Sequence, residues 1–191
     1  MYSQPIQKLI EIFSKFPSIG HKTAARFVFY LIKLPKEDFE NFLSSLKEVR
    51  ESIKLCPSCF NPTKEENLCL ICGDNNRNRS LLCIVEKEAD LESIEKIKKY
   101  KGLYFILGGT VSPKNNIRIE ELKNKIKSGN FQEIIIATNS TTEGEATALF
   151  LERELKLFNL KLTKLGRGLP VGGELEYADS DTLESALQHR K

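Results

Sequence analysis

Four cysteines arranged in two pairs constrain this chain more than any other feature of its sequence. They lie in "CPSCFNPTKEENLCLIC", where Cys56 and Cys59 form one C-x-x-C pair and Cys69 and Cys72 form the other, with nine residues between the pairs. Two such pairs can place four thiolate sulfurs at the corners of a tetrahedron, which is how zinc is bound in structural sites. Because four sulfur ligands leave no position for water, we predict one structural Zn²⁺.

The alternatives for these cysteines are a redox C-x-x-C pair and an iron–sulfur cluster. In a reducing compartment this spacing favours metal over disulfides. The segment is too short to bury an apolar core of its own, so metal binding, worth roughly 10–16 kcal/mol in small zinc peptides, would supply its folding energy. The fifth cysteine, Cys83, falls in the apolar run "LLCIV" and is predicted to be a buried strand residue outside the site.

Length and composition exclude several classes of protein. The chain has 191 residues, of which 40% are hydrophobic and 29% are charged, as in globular rather than disordered proteins. No apolar run approaches the roughly 20 residues of a membrane helix. The first residues, "MYSQPIQKLIEIF", lack the basic flank, continuous apolar core and cleavage site of a signal peptide. We therefore expect a cytoplasmic protein with no membrane partner.

The first 55 residues predict an all-helical unit. Apolar residues recur at helical spacing over residues 5–15, and further helices are predicted over 21–33 and 36–54, the last beginning after Pro35. These 55 residues carry nine Lys and Arg against six Asp and Glu, which is the whole positive excess of the chain. The excess indicates either a surface that faces a polyanion or an ordinary solvated face.

The segment "KFPSIGHKTAARFVFYL" predicts a helix, a tight turn at residues 17–20 and a second helix from His21. It resembles the helix-hairpin-helix motif, in which backbone N–H groups at the helix start face a DNA phosphate. Lys22 and Arg26 are one helical turn apart, which suits two neighbouring phosphates. The alternative is a plain helical hairpin used for packing or dimer formation. Ser18 stands where the motif usually has glycine, so it either accepts a strained positive φ or caps the helix.

The rest of the chain alternates between strands and helices. Short apolar runs predict strands at 81–86, 103–107, 133–138 and 160–165, with helices near 89–99, 118–128 and 144–157. This alternation predicts an α/β layer with a mainly parallel sheet, whose ligand sites gather at the carboxyl ends of the strands. Glu86 and Asn139 both fall at such ends. A Gly-rich segment and a helix follow. The predicted parts are 1–55, 56–78, 79–166 and 167–191.

The segment "IIIATNSTTEGEATALFLERE" resembles the signature of Toprim domains, which has a glutamate after the first strand and D-x-D after a later one. Mg²⁺ prefers such carboxylates and activates phosphoryl transfer. Here Glu86 keeps the first position, Asn139 and Thr141 replace the two aspartates, and Glu143 and Glu145 follow. We therefore predict a Toprim fold with a disabled or very weak metal site, and no catalysis.

In this order, the helical hairpin, the four-cysteine module and the degenerate Toprim segment resemble the RecR family of bacterial recombination mediators. The resemblance covers essentially the whole chain and includes "ILGGTVSP", "ATNSTTEGEATA" and "GLPVGGELEYAD". It implies a non-enzymatic DNA-repair protein of the cytoplasm and nucleoid. Such proteins assemble as dimers or ring-like tetramers around DNA. They act with RecO and RecF to load the RecA recombinase onto single-stranded DNA.

The resemblance also implies roles for particular residues. Lys22 and Arg26 become the contacts to DNA, without sequence preference, and the four paired cysteines become the zinc ligands. Glu86, Glu143 and Glu145 become an acidic patch that binds a basic partner, although they could equally be solvated surface. The "GLPVGGELEYAD" segment becomes part of an assembly surface, or a tight turn that needs its glycines.

The sequence departs from the family pattern at a few positions. Phe16 and Ser18 replace the usual "LPG" opening of the hairpin, and Ser140 stands where proline is common. Asn78 stands where an aspartate usually follows Arg77, so any ion pair made by that aspartate is lost.

Two other functions compete with the mediator hypothesis. One is a Mg²⁺-dependent nuclease or topoisomerase-like enzyme that uses Glu86 with Glu143 or Glu145. The other is a zinc-held protein-interaction scaffold that does not touch DNA.

Overall fold

The structure is a computed structural model that describes residues 2–112, 116–166, 168–169 and 171–188. The chain forms two compact units, Met1–Ile53 and Lys54–Lys191. The helices are α1 (Gln4–Ser14), α2 (His21–Lys33), α3 (Lys36–Ser52), α4 (Leu70–Gly73), α5 (Glu88–Lys96), α6 (Ile119–Ser128), α7 (Thr142–Leu155) and α8 (Ser180–Gln188). The strands are β1 (Lys54–Leu55), β2 (Pro62–Thr63), β3 (Asn78–Val85), β4 (Gly102–Ile106), β5 (Glu133–Ala137) and β6 (Lys161–Lys164).

The first unit is the predicted helical hairpin followed by a third helix. α1 and α2 pack through Ile10, Ala24 and Val28, which are almost completely buried. These residues come from the apolar stripe that the sequence pattern indicated, so the hairpin is confirmed. α3 ends at Ser52, two residues earlier than predicted, because the following residues enter the short strand β1.

The turn between α1 and α2 requires a left-handed backbone at Ser18, whose φ is +61°. The start of α2 is capped by Gly20, and no side chain donates or accepts a capping hydrogen bond there. Of the two roles that the sequence left open for Ser18, the structure therefore shows the positive φ and not the cap. Serine pays a steric cost in this conformation that glycine does not.

Ser18→Gly is therefore expected to stabilise the hairpin by roughly 0.5–1 kcal/mol, because the steric relief exceeds the entropy that glycine adds to the unfolded chain. Native-state hydrogen exchange of the amides of α1 and α2 measures the change. Ser18→Ala is the matched control, since alanine keeps the same steric cost and should leave the exchange rates unchanged. Faster exchange in Ser18→Gly would contradict the argument.

The second unit is built on a four-stranded parallel sheet with strand order β4-β3-β5-β6. This confirms the predicted α/β layer. β3 and β5 are the two inner strands. The last residue of β3, Val85, pairs with Ile106 on one side and with Ala137 on the other. Apolar clusters cover both faces of the sheet. Because β3 and β5 are adjacent and parallel, the residues after both strands meet at one edge, which we call the strand-end edge.

The cysteine module is joined directly to this sheet. The N–H of Ile106 in β4 donates to the carbonyl of Cys59 at 3.0 Å. The Phe60 ring packs edge-on against Phe105, with ring centroids 5.4 Å apart, and the guanidinium of Arg118 lies 4.6 Å from the Phe60 centroid. Phe60 itself has a φ of +65°, a conformation that its neighbours must hold in place. The cysteine module and strand β4 therefore stabilise each other.

The C-terminal segment contains a 3₁₀ turn at Leu175–Tyr177 and then α8. The predicted assembly segment, 167–191, lies only partly within the described residues, since positions 167, 170 and 189–191 fall outside them. Pro113 of "ILGGTVSP" also lies outside them. Among the helices of the described ranges, none combines the length and the apolar character that crossing a membrane requires.

Candidate functional site

The four paired cysteines converge on one point. Their sulfur atoms all lie within 4.8 Å of one another, and each residue is at most 2% exposed. A tetrahedral ion with sulfur ligands at 2.3 Å needs sulfurs about 3.8 Å apart, so the cluster fits such an ion with little adjustment. The N–H of Cys69 also donates to the Cys56 sulfur at 3.4 Å, which supports a thiolate there. The cluster can hold a metal ion.

The burial and close packing of the four cysteines explain why a cation suits this cluster. Hydrogen bonding to Cys69 raises the pKa of the Cys59 thiol, and burial raises it further. Four neighbouring thiolates would repel one another, and a divalent cation removes that repulsion. Cys83 is different. It lies in β3, is 2% exposed, and burial raises its pKa to about 12, so it is the buried strand residue that the sequence predicted.

Two cations lie on the solvent-exposed face at the start of α2. Lys22 and Arg26 are both exposed, whereas Ala24 and Val28 on the other side of the helix are buried. Neither Lys22 nor Arg26 forms an ion pair with another described residue. Gly20 offers no side-chain acceptor, so the first amides of α2 lack a side-chain cap. Exposed cations beside free helix-start amides form an arrangement that attracts an anion.

At the strand-end edge of the sheet, Glu86 and Asn139 are hydrogen-bonded to each other. The backbone N–H of Asn139 donates to one oxygen of the Glu86 carboxylate at 2.8 Å, and the Asn139 side-chain amide donates to the other at 2.7 Å. Glu86 is only 3% exposed. Both carboxylate oxygens therefore have a donor within the protein, and Asn139 supplies the positive partial charge that a metal ion would otherwise provide.

The second substituted position, Thr141, has a structural role of its own. Its side-chain hydroxyl accepts a hydrogen bond from the N–H of Gly144 at 3.1 Å and so caps the start of α7. Gly144 has no room for a side chain, because a Cβ there would lie 2.0 Å from the carbonyl oxygen of Asn139. The glycine of "EGE" therefore lets α7 approach the Glu86–Asn139 pair.

The acidic patch inferred from the sequence needs one correction. Glu86 is buried and bonded to Asn139, so it contributes no surface to a partner. Glu143 is exposed and Glu145 is partly exposed, both in the first turn of α7. Glu143 and Glu145 are therefore the two members of the predicted patch that reach the surface, and their role in partner binding stays a prediction.

Comparison with known families gives three matches along the chain. A RecR helix-hairpin-helix model matches residues 6–50, a Toprim domain model matches 80–166, and a RecR C-terminal model matches 168–191. The first and last of these models describe parts of one family, and the Toprim match lies between them. The chain belongs to the RecR family. Membership assigns it a recombination-mediator role in DNA repair. The four-cysteine cluster lies between the first two matched ranges.

Sequence reasoning missed one ion-pair network in this RecR family member. It noted that Asn78 removes an ion pair from the position after Arg77, but the structure pairs Arg77 with the carboxylates of Glu95 and Asp74. The hydroxyl of Tyr104 donates to Glu95 at 2.9 Å. The hydrogen bond from Arg77 lowers the pKa of Glu95. Arg77 precedes β3 and Glu95 lies in α5, 18 positions later, so their pairing depends on how α5 packs against the sheet and not on a local pattern.

Sequence reasoning also left the part played by Asn139 undetermined. It showed only that Asn139 replaces an aspartate of the metal site, whereas the structure uses the amide as a donor to Glu86. The available signal was the change from aspartate to asparagine itself. An amide beside a buried glutamate can donate a hydrogen bond, which a carboxylate cannot do unless it is protonated.

Proposed function

We propose that this RecR family member is a non-enzymatic mediator that binds DNA without sequence preference and acts with RecO and RecF. In this role it promotes loading of RecA onto single-stranded DNA. Its working location is then the cytoplasm and nucleoid, and its working form is a homodimer or a ring-like tetramer. Family membership supports the mediator role, and the arrangement of the sites supports the assignments to DNA, to zinc and to the absence of catalysis.

The observation that carries the non-enzymatic part of the proposal is the hydrogen-bonded pair of Glu86 and Asn139. A Toprim metal site depends on the glutamate after the first strand. Here both oxygens of that carboxylate are already hydrogen-bonded to Asn139, and the residue is buried. Mg²⁺ loses its hydration water reluctantly and needs anionic ligands to offset that loss. The Glu86–Asn139 pair therefore supports a Toprim fold that no longer binds a catalytic metal ion.

DNA binding is assigned to Lys22 and Arg26 at the start of α2. Both are exposed cations without an ion-pair partner among the described residues, and they lie beside amides that lack a side-chain cap. Contacts of this kind neutralise phosphates and carry no base information. Glu143 and Glu145 are assigned to a basic partner protein, because complementary charge favours encounter and register.

The metal in the four-cysteine cluster is assigned as one structural Zn²⁺. The donor set supports this assignment, since four buried thiolates at tetrahedral spacing suit Zn²⁺ and leave no open position for water. Cys56, Cys59, Cys69 and Cys72 would hold the ion, whose contribution is to fold the module rather than to act on a substrate.

Lys22→Ala with Arg26→Ala is expected to weaken DNA binding by about tenfold or more and to lower the slope of log K against log salt by about two for duplex DNA. Titration of labelled duplex and single-stranded DNA over a range of salt concentrations measures both quantities. Lys8→Ala with Lys33→Ala is the matched control, because it removes two exposed cations from the same unit.

The same variants test the mediator role directly. Loading of recombinase onto single strands coated with single-strand-binding protein is expected to need the wild-type chain together with RecO, and to fail with Lys22→Ala and Arg26→Ala. The control pair should load as the wild type does. DNA affinity that is equal in both double variants would instead favour the interaction scaffold that does not touch DNA.

A further inference from the structure

In the second unit, acidic and basic residues are nearly equal in number along the sequence but lie at opposite edges of the sheet. Residues 81–191 carry seventeen basic and seventeen acidic residues. α5, however, begins with Glu88 and Asp90 and ends at Lys96, and α6 begins acidic and ends basic. Each of these helices follows a strand, so its start lies at the strand-end edge and its end returns to the opposite edge. Acidic residues thus collect at the first edge and basic residues at the second.

The opposite edge carries four cations that we call the basic edge: Arg79, Lys98, Lys99 and Lys101. All four are exposed. The backbone brings them together, because the N–H of Asn78 donates to the carbonyl of Lys101 at 2.8 Å and Asn78 pairs with Gly102 at the start of β3 and β4.

The carboxylates close to the basic edge are engaged elsewhere. Asp74 and Glu95 both pair with Arg77, and Glu133 pairs with Lys161 at 3.0 Å. Within the described part of the chain, Arg79, Lys98 and Lys99 form no ion pair. Glu95 also attracts Lys101 at longer range. The remaining positive charge at this edge is therefore left for an outside partner.

Helix dipoles alone do not account for this cluster. A cation in the last turn of a helix is favourable, which explains Lys96 and the lysines that end α6. Arg79 lies in a strand and Lys101 lies directly before one, where no helix end requires a cation. Lys98, which follows α5, has a φ of +57°, a conformation that glycine or asparagine adopts at lower cost. Dipole complementarity can favour a lysine at position 98, close to the end of α5, but it predicts neither Arg79 nor Lys101.

We propose that the basic edge is a second surface of this protein for DNA phosphates, additional to Lys22 and Arg26. This inference rests on the proposed DNA-binding function and extends it to the Toprim unit. Exposed lysines and arginines without acidic partners release counterions when they meet a phosphate backbone, which makes binding strong at low salt and independent of sequence. The basic edge therefore contributes affinity but no preference among DNA sequences.

The test removes three charges from the basic edge without altering buried contacts. The full chain with Arg79→Gln, Lys98→Gln and Lys99→Gln is titrated against labelled duplex DNA over a range of salt concentrations. Lys54→Gln, Lys87→Gln and Arg153→Gln form the matched control, since these residues are exposed and lie outside the basic edge. Thermal unfolding of both variants checks that neither has lost its fold.

The basic-edge variant is expected to bind duplex DNA at least tenfold more weakly at low salt, with a salt slope smaller by about two to three, while the control binds as the wild type does. Equal binding by the two variants would overturn the inference and leave the proposed function intact, provided that Lys22→Ala with Arg26→Ala still reduces binding. Unchanged DNA binding with weaker self-association would assign the edge to a second copy instead. A wild-type chain that binds no DNA would refute both proposals.

Discussion

Serine in place of Cys59 is expected to cost the chain its metal ion and to unfold the cysteine module. Metal binding supplies roughly 10–16 kcal/mol in small zinc modules, far more than one serine hydroxyl can replace. The effect should extend into the sheet, because the Cys59 carbonyl accepts the N–H of Ile106 in β4 and Phe60 packs on Phe105. Metal content and hydrogen exchange at Ile106 measure the two consequences.

Cys83→Ala is the matched control for this experiment. It also removes a buried thiol from the second unit, but Cys83 lies in β3 and outside the cluster. This variant should keep one equivalent of metal, and hydrogen exchange at Ile106 should stay as slow as in the wild type. If Cys59→Ser kept a full equivalent of metal, the assignment of four sulfur ligands to the ion would be contradicted. Loss of metal with unchanged exchange at Ile106 would contradict the link between the module and the sheet.

Restoring both aspartates, by Asn139→Asp with Thr141→Asp, is expected to make stability depend on Mg²⁺ or Mn²⁺. Aspartate at position 139 removes the amide donor and places a second carboxylate within hydrogen-bond distance of Glu86, which is 3% exposed. Without a cation this should cost about 3–5 kcal/mol at neutral pH, as other buried unpaired charges do. A divalent cation should recover much of that loss, because it restores positive charge between the carboxylates.

The pH dependence of this variant has a defined sign. Two adjacent carboxylates raise the pKa of the pair in the folded state, so one proton is bound more tightly there than in the unfolded chain. The variant should be closest to wild-type stability at low pH and lose stability as pH rises through that pKa. Thermal unfolding with and without the metal, at low and neutral pH, measures this.

Thr141→Asp alone serves as the control, because aspartate can cap α7 as threonine does and does not touch Glu86. It should change stability little and give at most a weak response to metal. If Mg²⁺ stabilised the wild-type chain as much as the double variant, the native site would be competent and the Glu86–Asn139 pair would not block it.

Much of the architecture could be predicted from the sequence because its signals are local or periodic. The spacing of the two C-x-x-C pairs indicated one cluster, and the cysteine sulfurs do converge. The alternation of strands and helices indicated a parallel sheet, which brought Glu86 and Asn139 to one edge. The amphipathic stripe of α1 predicted which side of the hairpin is buried.

The remainder depended on contacts that no local pattern encodes. The sequence shows that Asn139 replaces an aspartate, but not whether its amide would bind a metal or donate to Glu86. The burial of Glu86 follows from how closely α7 approaches at Gly144, which is a matter of tertiary packing. The basic edge was hidden because its charges cancel against acidic residues that lie nearby in sequence but at the other edge of the sheet. The end of α5 was predicted three residues late, since Lys98 adopts a left-handed backbone after Lys96.

The central claim is that this protein binds DNA and that its Toprim frame does no metal chemistry. The most direct measurement incubates the purified chain with supercoiled plasmid and Mg²⁺ at low salt and resolves DNA topology after the protein is removed. The account predicts unchanged supercoiling, together with retarded plasmid in a parallel lane from which the protein is not removed. Nicking or relaxation of the plasmid that disappears in Glu86→Ala would contradict it.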